Sequence, residues 1–192
     1  GIGFPSLQFE EIKTSKYLIT SIHFVRNPKT DELKYLEIDG TYSQFLLALK
    51  LYNFDLKKLL QSFLNATEQM LETTISGIKI IGHIDKIILN AAKTREFQSI
   101  ENWFYEELFQ ITQNSKSQFD FIEINTRAMY KKGLSNPYPK LEFISRLFQN
   151  NTPLIINSDA HQPSELDGGY KNLFQLLSQC GLDNIQKTNI NL

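Results

Sequence analysis

Short apolar runs alternate along the chain with longer stretches in which hydrophobic residues recur every three or four positions. The short runs are typical of buried strands, and the longer stretches are typical of amphipathic helices. Strands are predicted at 16–24, 78–81, 119–124 and 154–156, with a short extended piece at 33–38 and a closing strand at 184–190. Helices are predicted around 45–52, 56–71, 100–111, 141–148 and 166–177.

The order of these elements predicts the fold class. Strands that alternate with helices favour a parallel sheet, so the chain is predicted to be α/β. A β/α barrel is favoured over an open sheet, because no Gly-rich loop follows a strand and polar residues follow several strands. Thr41 is a predicted helix N-cap, and Gly181 is a predicted left-handed helix C-cap.

All three histidines of the chain lie where predicted strands end. His23 and His83 follow two of them, and Asp159 and His161 follow the run 154–156. On an extended backbone Asp159 and His161 project from the same face. A carboxylate and an imidazole that converge in this way are suited to a metal site. The alternative is a strand followed by a polar helix start, with Asp159 as a cap and His161 on the surface.

The composition restricts the class of partner. The chain has 20 Lys and Arg against 21 Asp and Glu, a formal charge of −1, and no basic run, so a nucleic-acid partner is not expected. No apolar stretch reaches the roughly 20 residues of a membrane span, and no signal peptide opens the chain. The single Cys180 is expected to be a buried thiol in a reducing, cytoplasmic protein. One domain over 1–192 is predicted.

Four segments occur together and in order, and they carry a resemblance to a known family. They are 21–24, 82–85, 123–127 and 158–161, with the sequences Ser-Ile-His-Phe, Gly-His-Ile-Asp, Glu-Ile-Asn-Thr-Arg and Ser-Asp-Ala-His. This set resembles the histidinol phosphatases of the polymerase-and-histidinol-phosphatase (PHP) superfamily. The resemblance implies a distorted β/α barrel that binds two or three divalent ions, Zn, Mn or Fe. It further implies hydrolysis of L-histidinol phosphate to L-histidinol and phosphate in histidine biosynthesis.

The resemblance also implies roles for individual residues. His23, His83, Asp159 and His161 would be metal ligands, and Asp159 and His161 would also take part in catalysis. Asp85 would act beside them by orienting a ligating imidazole through its other ring nitrogen.

Phosphate binding is assigned to the fourth strand end. Arg127 is the preferred phosphate ligand, because a guanidinium matches phosphate oxygens bidentately. Glu123, Asn125 and Lys131 are further candidates for contact with the substrate, a small-molecule phosphate ester. For Lys131 a solvated loop is the alternative.

The chain departs from the family in ways that leave alternatives open. The family's initial His-x-His and its bridging Glu are absent, and Glu10 and Glu11 lie close to His23 in sequence. The chain is therefore expected to lack about the first third of the barrel. Gln162 stands where many relatives have a basic residue. The alternatives are an incomplete, inactive barrel with exposed sheet edges, which would aggregate or oligomerise, and a phosphoesterase for another substrate. The oligomeric state stays open.

Overall fold

The computed structural model describes residues 15–29 and 34–187. The strands are β1 (Tyr17–Thr20), β2 (Phe24–Arg26), β3 (Tyr35–Glu37), β4 (Ile78–Ile81), β5 (Phe121–Asn125) and β6 (Leu154–Asn157). The α-helices are α1 (Tyr42–Leu51), α2 (Leu56–Glu72), α3 (Ile88–Ala91), α4 (Phe97–Asn114), α5 (Arg127–Lys132), α6 (Leu141–Gln149) and α7 (Tyr170–Gln179). Short 3-10 helices lie at Lys116–Gln118, Pro163–Glu165 and Asp183–Lys187. Across the described ranges, the helices are too short or too polar to cross a membrane.

The main sheet has four strands in the order β1-β4-β5-β6. β4 pairs in parallel with β5, and β5 pairs in parallel with β6, with Asn125 opposite Asn157 at their carboxyl ends. The prediction of an α/β chain with parallel strands is therefore confirmed. Closure of these strands into a barrel stays a prediction.

A small antiparallel hairpin replaces part of the predicted first strand. β1 ends at Thr20, and β2 then pairs antiparallel with β3 in a separate two-stranded sheet. The single strand predicted over 16–24 is therefore wrong. Val25 is buried while its neighbours Phe24 and Arg26 are exposed. This alternation is typical of a half-buried hairpin strand, and the apolar run before it concealed the break.

The chain divides into two compact units. The first unit contains the described residues up to Lys79 together with Lys86–Phe119. The second contains Ile80–Asp85 and the described residues from Asp120 onward. The prediction of one domain over 1–192 stays a prediction.

The first unit is built on the apolar faces of α2 and α4. Leu59, Phe63 and Leu64 recur at helical spacing along α2 and are at most 2 % exposed. The Phe63 ring lies 6.2 Å from the ring of Phe104 on α4, measured between centroids. Burial of such rings supplies most of the stabilisation of a helix pair. The predicted cap of α1 is confirmed, because the Thr41 hydroxyl accepts the Gln44 backbone N–H.

The second unit carries β5, β6 and the last three α-helices. Its fully buried residues include Ile122 and Ile124 on β5, and Leu173 and Leu177 on α7. Gly181 follows α7 with a φ of +70°, which confirms the left-handed cap.

Two predictions for the C-terminal region are wrong. Cys180 is exposed rather than buried, because it follows the last residue of α7, beyond the stripe of Leu173 and Leu177. A 3-10 helix at Asp183–Lys187 occupies the place of the predicted closing strand, and the rest of that prediction lies outside the described residues. Leu182 and Ile185 are buried, so this segment packs an apolar face as a 3-10 helix rather than as a strand.

Candidate active site at the strand ends of the second unit

Polar side chains gather where the parallel strands β4, β5 and β6 end, within the residues of the second unit. His83 follows β4, Asn125 ends β5, Asn157 ends β6 and Asp159 comes two residues later. Parallel strands present their carboxyl ends on one side of a sheet, which is where α/β proteins bind ligands. The structure thus places the strand ends that carry His83, Glu123 and Asp159 side by side.

The Glu123 carboxylate connects these three strand ends. Its Oε2 accepts the His83 backbone N–H at 2.8 Å and the Asn125 side-chain amide at 3.0 Å. Its Oε1 accepts the Asn157 amide at 2.5 Å. Glu123 is 1 % exposed, and this burial, opposed by the three hydrogen bonds, raises its pKa. The side chain therefore holds the loops that follow β4 and β6 in a fixed register.

The backbone around the predicted ligands is not extended. His83 has a φ of +30° and Asp159 a φ of +55°, both in the left-handed region that non-glycine residues seldom adopt. The extended geometry expected for Asp159 to His161 is therefore wrong. The Asn157 Oδ1 accepts the Asp159 backbone N–H at 3.3 Å and supports this conformation. Strained residues of this kind are common at functional sites.

Asp159 and His161 still lie near each other. The His161 Nδ1 is 3.8 Å from the Asp159 Oδ1 and 2.9 Å from the Asp159 carbonyl oxygen. A carbonyl oxygen only accepts, so the hydrogen bond requires the proton on Nδ1 and leaves the lone pair on Nε2. The His161 side chain is 65 % exposed. Its Nε2 is therefore suited to bind a metal or to exchange a proton with a ligand.

Asp85, in the loop that follows β4, is fully buried. Its Oδ2 accepts the backbone N–H of Lys140, which immediately precedes α6. This contact joins the loop after β4 to the start of α6. The predicted role of Asp85 in orienting an imidazole stays a prediction.

Arg127 opens α5, directly after β5. Its Nη1 donates to the Asp159 carbonyl oxygen at 2.8 Å, to Glu165 Oε2 at 3.0 Å and to the Tyr130 hydroxyl at 3.3 Å. Asn125 Oδ1 accepts the Arg127 backbone N–H at 2.9 Å, so the end of β5 fixes the first turn of α5. The structure thus brings Arg127 beside the Asp159–His161 loop, whereas the predicted phosphate and substrate contacts stay predictions.

Glu165 is a site residue that the sequence reasoning missed. It is 6 % exposed, and it accepts the His161 backbone N–H at 3.0 Å and the Gln162 amide at 2.8 Å. The Lys131 ammonium lies 2.5 Å from its Oε1, and Arg127 binds Oε2. The His161 N–H and the Lys131 and Arg127 cations hold the Glu165 pKa well below its usual range. No local pattern marked it, because Gln162 is not a capping residue and the partner Arg127 lies 38 positions away.

His23, in the first unit, has its own carboxylate partner. The His23 Nδ1 is 2.7 Å from Asp39 Oδ2, and the Lys86 ammonium is 3.0 Å from the same oxygen. Burial alone would raise the pKa of Asp39, but His23 and Lys86 together lower it. A carboxylate that binds one ring nitrogen orients the ring, as in many metal-ligating histidines. The predicted role of His23 as a metal ligand is compatible with this contact and stays a prediction.

The metal prediction requires several donor side chains to converge on one point. Over residues 15–29 and 34–187, no three His, Cys, Asp or Glu side chains form a group that could hold a metal ion. Glu10 and Glu11 lie outside the described residues. The described side chains therefore do not by themselves complete a three-ligand site, and metal binding stays a prediction.

Comparisons with known proteins relate the chain to one solved structure. No family model matches the chain, and no curated protein sequence gives a significant match. The crystal structure of the "putative histidinol phosphatase" of Listeria monocytogenes matches with a TM-score of 0.57 and 16 % sequence identity. The match covers 80 % of this chain and 56 % of that protein. The likeness shows that the two proteins share an α/β fold and that the chain spans little more than half of that protein's length.

Proposed function

We propose that this chain is a phosphomonoesterase that hydrolyses L-histidinol phosphate to L-histidinol and phosphate. The observation that supports the proposal most directly is the position of Arg127. Its Nη1 is 2.8 Å from the Asp159 carbonyl oxygen, so a guanidinium lies against the loop that carries Asp159 and His161. The fold likeness to a protein named as a histidinol phosphatase supports the same class of substrate.

The residues of the second unit suit a phosphate monoester. Such an ester carries two negative charges, which repel a nucleophile unless a cation neutralises them. Arg127 supplies a cation whose planar fork matches phosphate oxygens. Water attacks phosphorus as the bond from phosphorus to the histidinol oxygen breaks, and the proton lost by the water passes to solvent. The exposed His161, with its Nδ1 proton held by a carbonyl oxygen, is suited to give a proton from Nε2 to the departing histidinol oxygen when its ring is protonated. The Asp159 Oδ1 lies 3.8 Å from Nδ1 of that ring.

Dependence on a divalent metal is part of the proposal as a prediction. His23, His83, Asp159 and His161 are the candidate ligands, and Zn, Mn and Fe are the candidate ions. The described side chains form no group of three. An assay with and without a chelator measures whether turnover depends on a metal ion.

One observation favours a second candidate, a chain that binds phosphate esters without hydrolysing them. The side chains at residues 15–29 and 34–187 provide no three-ligand group for a metal ion. Such a chain would retain Arg127 for binding. Turnover and binding must therefore be measured separately.

The experiment is phosphate release from L-histidinol phosphate, with p-nitrophenyl phosphate as a second ester. Each assay is run with added Mn or Zn and again with a chelator. Asp159→Asn is expected to lower kcat by at least tenfold, because the carboxylate lies at the centre of the site. The matched control is Asp167→Asn, a change at an exposed acid on the same loop, which should leave turnover unchanged.

The outcomes of these assays distinguish a histidinol phosphatase, a phosphatase for another ester and a chain that only binds phosphate. Chelator-sensitive turnover that Asp159→Asn abolishes supports the metal-dependent enzyme. Turnover of p-nitrophenyl phosphate alone retains a phosphatase but rejects histidinol phosphate as its substrate. A folded chain that binds inorganic phosphate and hydrolyses neither ester supports the second candidate and rejects the first.

A further inference from the structure

We infer that Glu165 is a positioning residue that holds Arg127 by one nitrogen and thereby presents the opposite side of the guanidinium to a phosphate group. The inference rests on the proposed function, since it concerns the phosphate contact of that site. The ligand class is an oxyanion with at least two acceptor oxygens, such as a phosphate monoester. Glu165 acts through Arg127 and does not contact the phosphate group itself.

The contacts of Arg127 are one-sided. Nη1 makes all three of its side-chain hydrogen bonds, to the Asp159 carbonyl oxygen, to Glu165 Oε2 and to the Tyr130 hydroxyl. Nε and Nη2 have no hydrogen-bond partner within the part of the chain that the structure describes, and 22 % of the side chain is exposed. These two nitrogens carry the parallel N–H groups that a bidentate phosphate contact requires.

Glu165 is itself firmly held, so it can act as an anchor. The His161 backbone N–H donates to Oε2 at 3.0 Å, and the Gln162 amide donates to Oε1 at 2.8 Å. These contacts fix the carboxylate to the loop of Asp159 and His161. Because the same Oε2 binds Arg127, the guanidinium and the His161 backbone are held in one register. At 6 % exposure, little water competes for these donors.

The donors of Arg127, rather than an excess of positive charge, would receive the anion. Arg127 and Lys131 contribute two positive charges, and Glu165 and the nearby Asp159 contribute two negative charges. The attraction for a phosphate group would therefore come from the unengaged N–H groups of Nε and Nη2. Tyr130 adds a second brace, because its hydroxyl donates to the Ser158 carbonyl oxygen at 3.0 Å while accepting from Arg127.

A different role would also be compatible with some of these contacts. Glu165 could act as an internal competitor that occupies the cations until phosphate displaces it. The two roles predict opposite changes in the affinity for phosphate when the Glu165 carboxylate is removed. Removing a positioning carboxylate weakens phosphate binding, because the guanidinium loses its orientation. Removing a competing carboxylate strengthens it, because the cations are released.

The experiment follows the arginine Nε–H signals by ¹⁵N NMR while inorganic phosphate is added to the whole chain. The chain has four arginines, Arg26, Arg95, Arg127 and Arg146, so Arg127→Lys identifies the relevant signal. We expect phosphate to shift the Arg127 signal. We expect Glu165→Gln to raise the Kd for phosphate about tenfold, the usual effect of disturbing one charged hydrogen bond. The control Asp167→Asn should leave the Kd unchanged.

A double-mutant cycle separates positioning from general damage to the fold. Glu165→Gln should have no further effect on the Kd in an Arg127→Gln background, since it acts through Arg127. Equal weakening in both backgrounds would mean a structural role and would overturn the inference. So would an unchanged Kd, tighter binding, or no shift of the Arg127 signal in the wild-type chain.

The inference and the proposed function can fail separately. Phosphate binding that depends on Glu165 and Arg127, without turnover of any ester, retains the inference and rejects the enzyme. Turnover of histidinol phosphate whose KM is unchanged by Arg127→Gln retains the enzyme and rejects the inference.

Discussion

Glu123 and Glu165 are two buried glutamates of the second unit, and their surroundings shift their pKa values in opposite directions. Glu123 is 1 % exposed and Glu165 is 6 % exposed, and each accepts a backbone N–H of a predicted metal ligand. Burial among amide and backbone donors raises the pKa of Glu123. A backbone N–H and two cations lower the pKa of Glu165. Burial has the largest effect on the pKa of Glu123, whereas for Glu165 the hydrogen bonds, first the His161 N–H and then Lys131 and Arg127, outweigh burial.

Glu123 and Glu165 hold the candidate site together in two different ways. The Glu123 cluster joins the ends of β4, β5 and β6 through neutral hydrogen bonds, so its contribution is mainly geometric. The Glu165 cluster joins α5 to the Asp159–His161 loop through ion pairs, so its contribution depends on charge. Two experiments test this distinction and a third extends it to a buried cation, in order of decreasing expected effect.

Glu123→Ala should lower the free energy of unfolding by about 3 kcal/mol, because it leaves three donors at the strand ends without their acceptor. These donors are the His83 N–H and the amides of Asn125 and Asn157. Urea unfolding monitored by circular dichroism measures the loss. The control Glu142→Ala, at an exposed acid in the first turn of α6, should change stability by less than about 0.5 kcal/mol. A loss below about 1 kcal/mol for Glu123→Ala would show that water or rearranged side chains satisfy the donors.

Lys79 extends the comparison to a buried cation in the first unit. Its Nζ donates to the carbonyl oxygens of Met70, Leu71 and Thr73 at the end of α2, and the residue is 2 % exposed. Burial lowers its pKa from 10.5 to about 8. The folded chain therefore releases this proton near pH 8, whereas the unfolded chain retains it until about pH 10.5. Stability should rise with pH between these values, because the unfolded state binds more protons there.

The measurement is urea unfolding of wild type and Lys79→Met at a series of pH values. Tyrosine ionisation contributes to both proteins and cancels in the difference. Between pH 8 and 10, the wild type should gain about 1–2 kcal/mol relative to the variant. The difference in the free energy of unfolding between wild type and variant could instead be independent of pH. That result would show that the three carbonyl oxygens stabilise the charged ammonium enough to offset the lowering of its pKa by burial.

Local sequence patterns predicted the helices and strands better than they predicted the contacts of Glu123 and Glu165. The apolar stripe placed one helix at 56–71, and α2 is Leu56–Glu72, because periodicity reports directly which face is buried. The runs that became β4, β5 and β6 also placed His83, Glu123 and Asp159 at neighbouring strand ends. Both predictions depend on residues close together in sequence.

The missed features depend on residues far apart in sequence. Arg127 and Glu165 are 38 positions apart, and Glu123 and Asn157 are 34 apart, so no local pattern connects them. The positive φ of Asp159 also contradicted the extended geometry that the Asp-x-His spacing suggested. The Asn157 side chain, which accepts the Asp159 backbone N–H and donates to Glu123, supports that conformation.

The smallest expected effect is a difference in salt dependence. The stability that Glu165 contributes should depend on salt, and the stability that Glu123 contributes should not. Glu123→Gln and Glu165→Gln each replace a carboxylate with a neutral group of nearly the same shape. The loss of stability from Glu165→Gln should decrease when about 0.5 M NaCl is added, because salt screens the partly exposed cations Arg127 and Lys131. The loss from Glu123→Gln should stay constant, because its partners carry no net charge and the side chain is buried. Urea unfolding of both variants and the wild type at low and high salt measures the two differences. Equal salt dependence would mean that long-range charge, rather than the nature of the direct partners, separates the two carboxylates, and the contrast between a geometric and an electrostatic cluster would not hold.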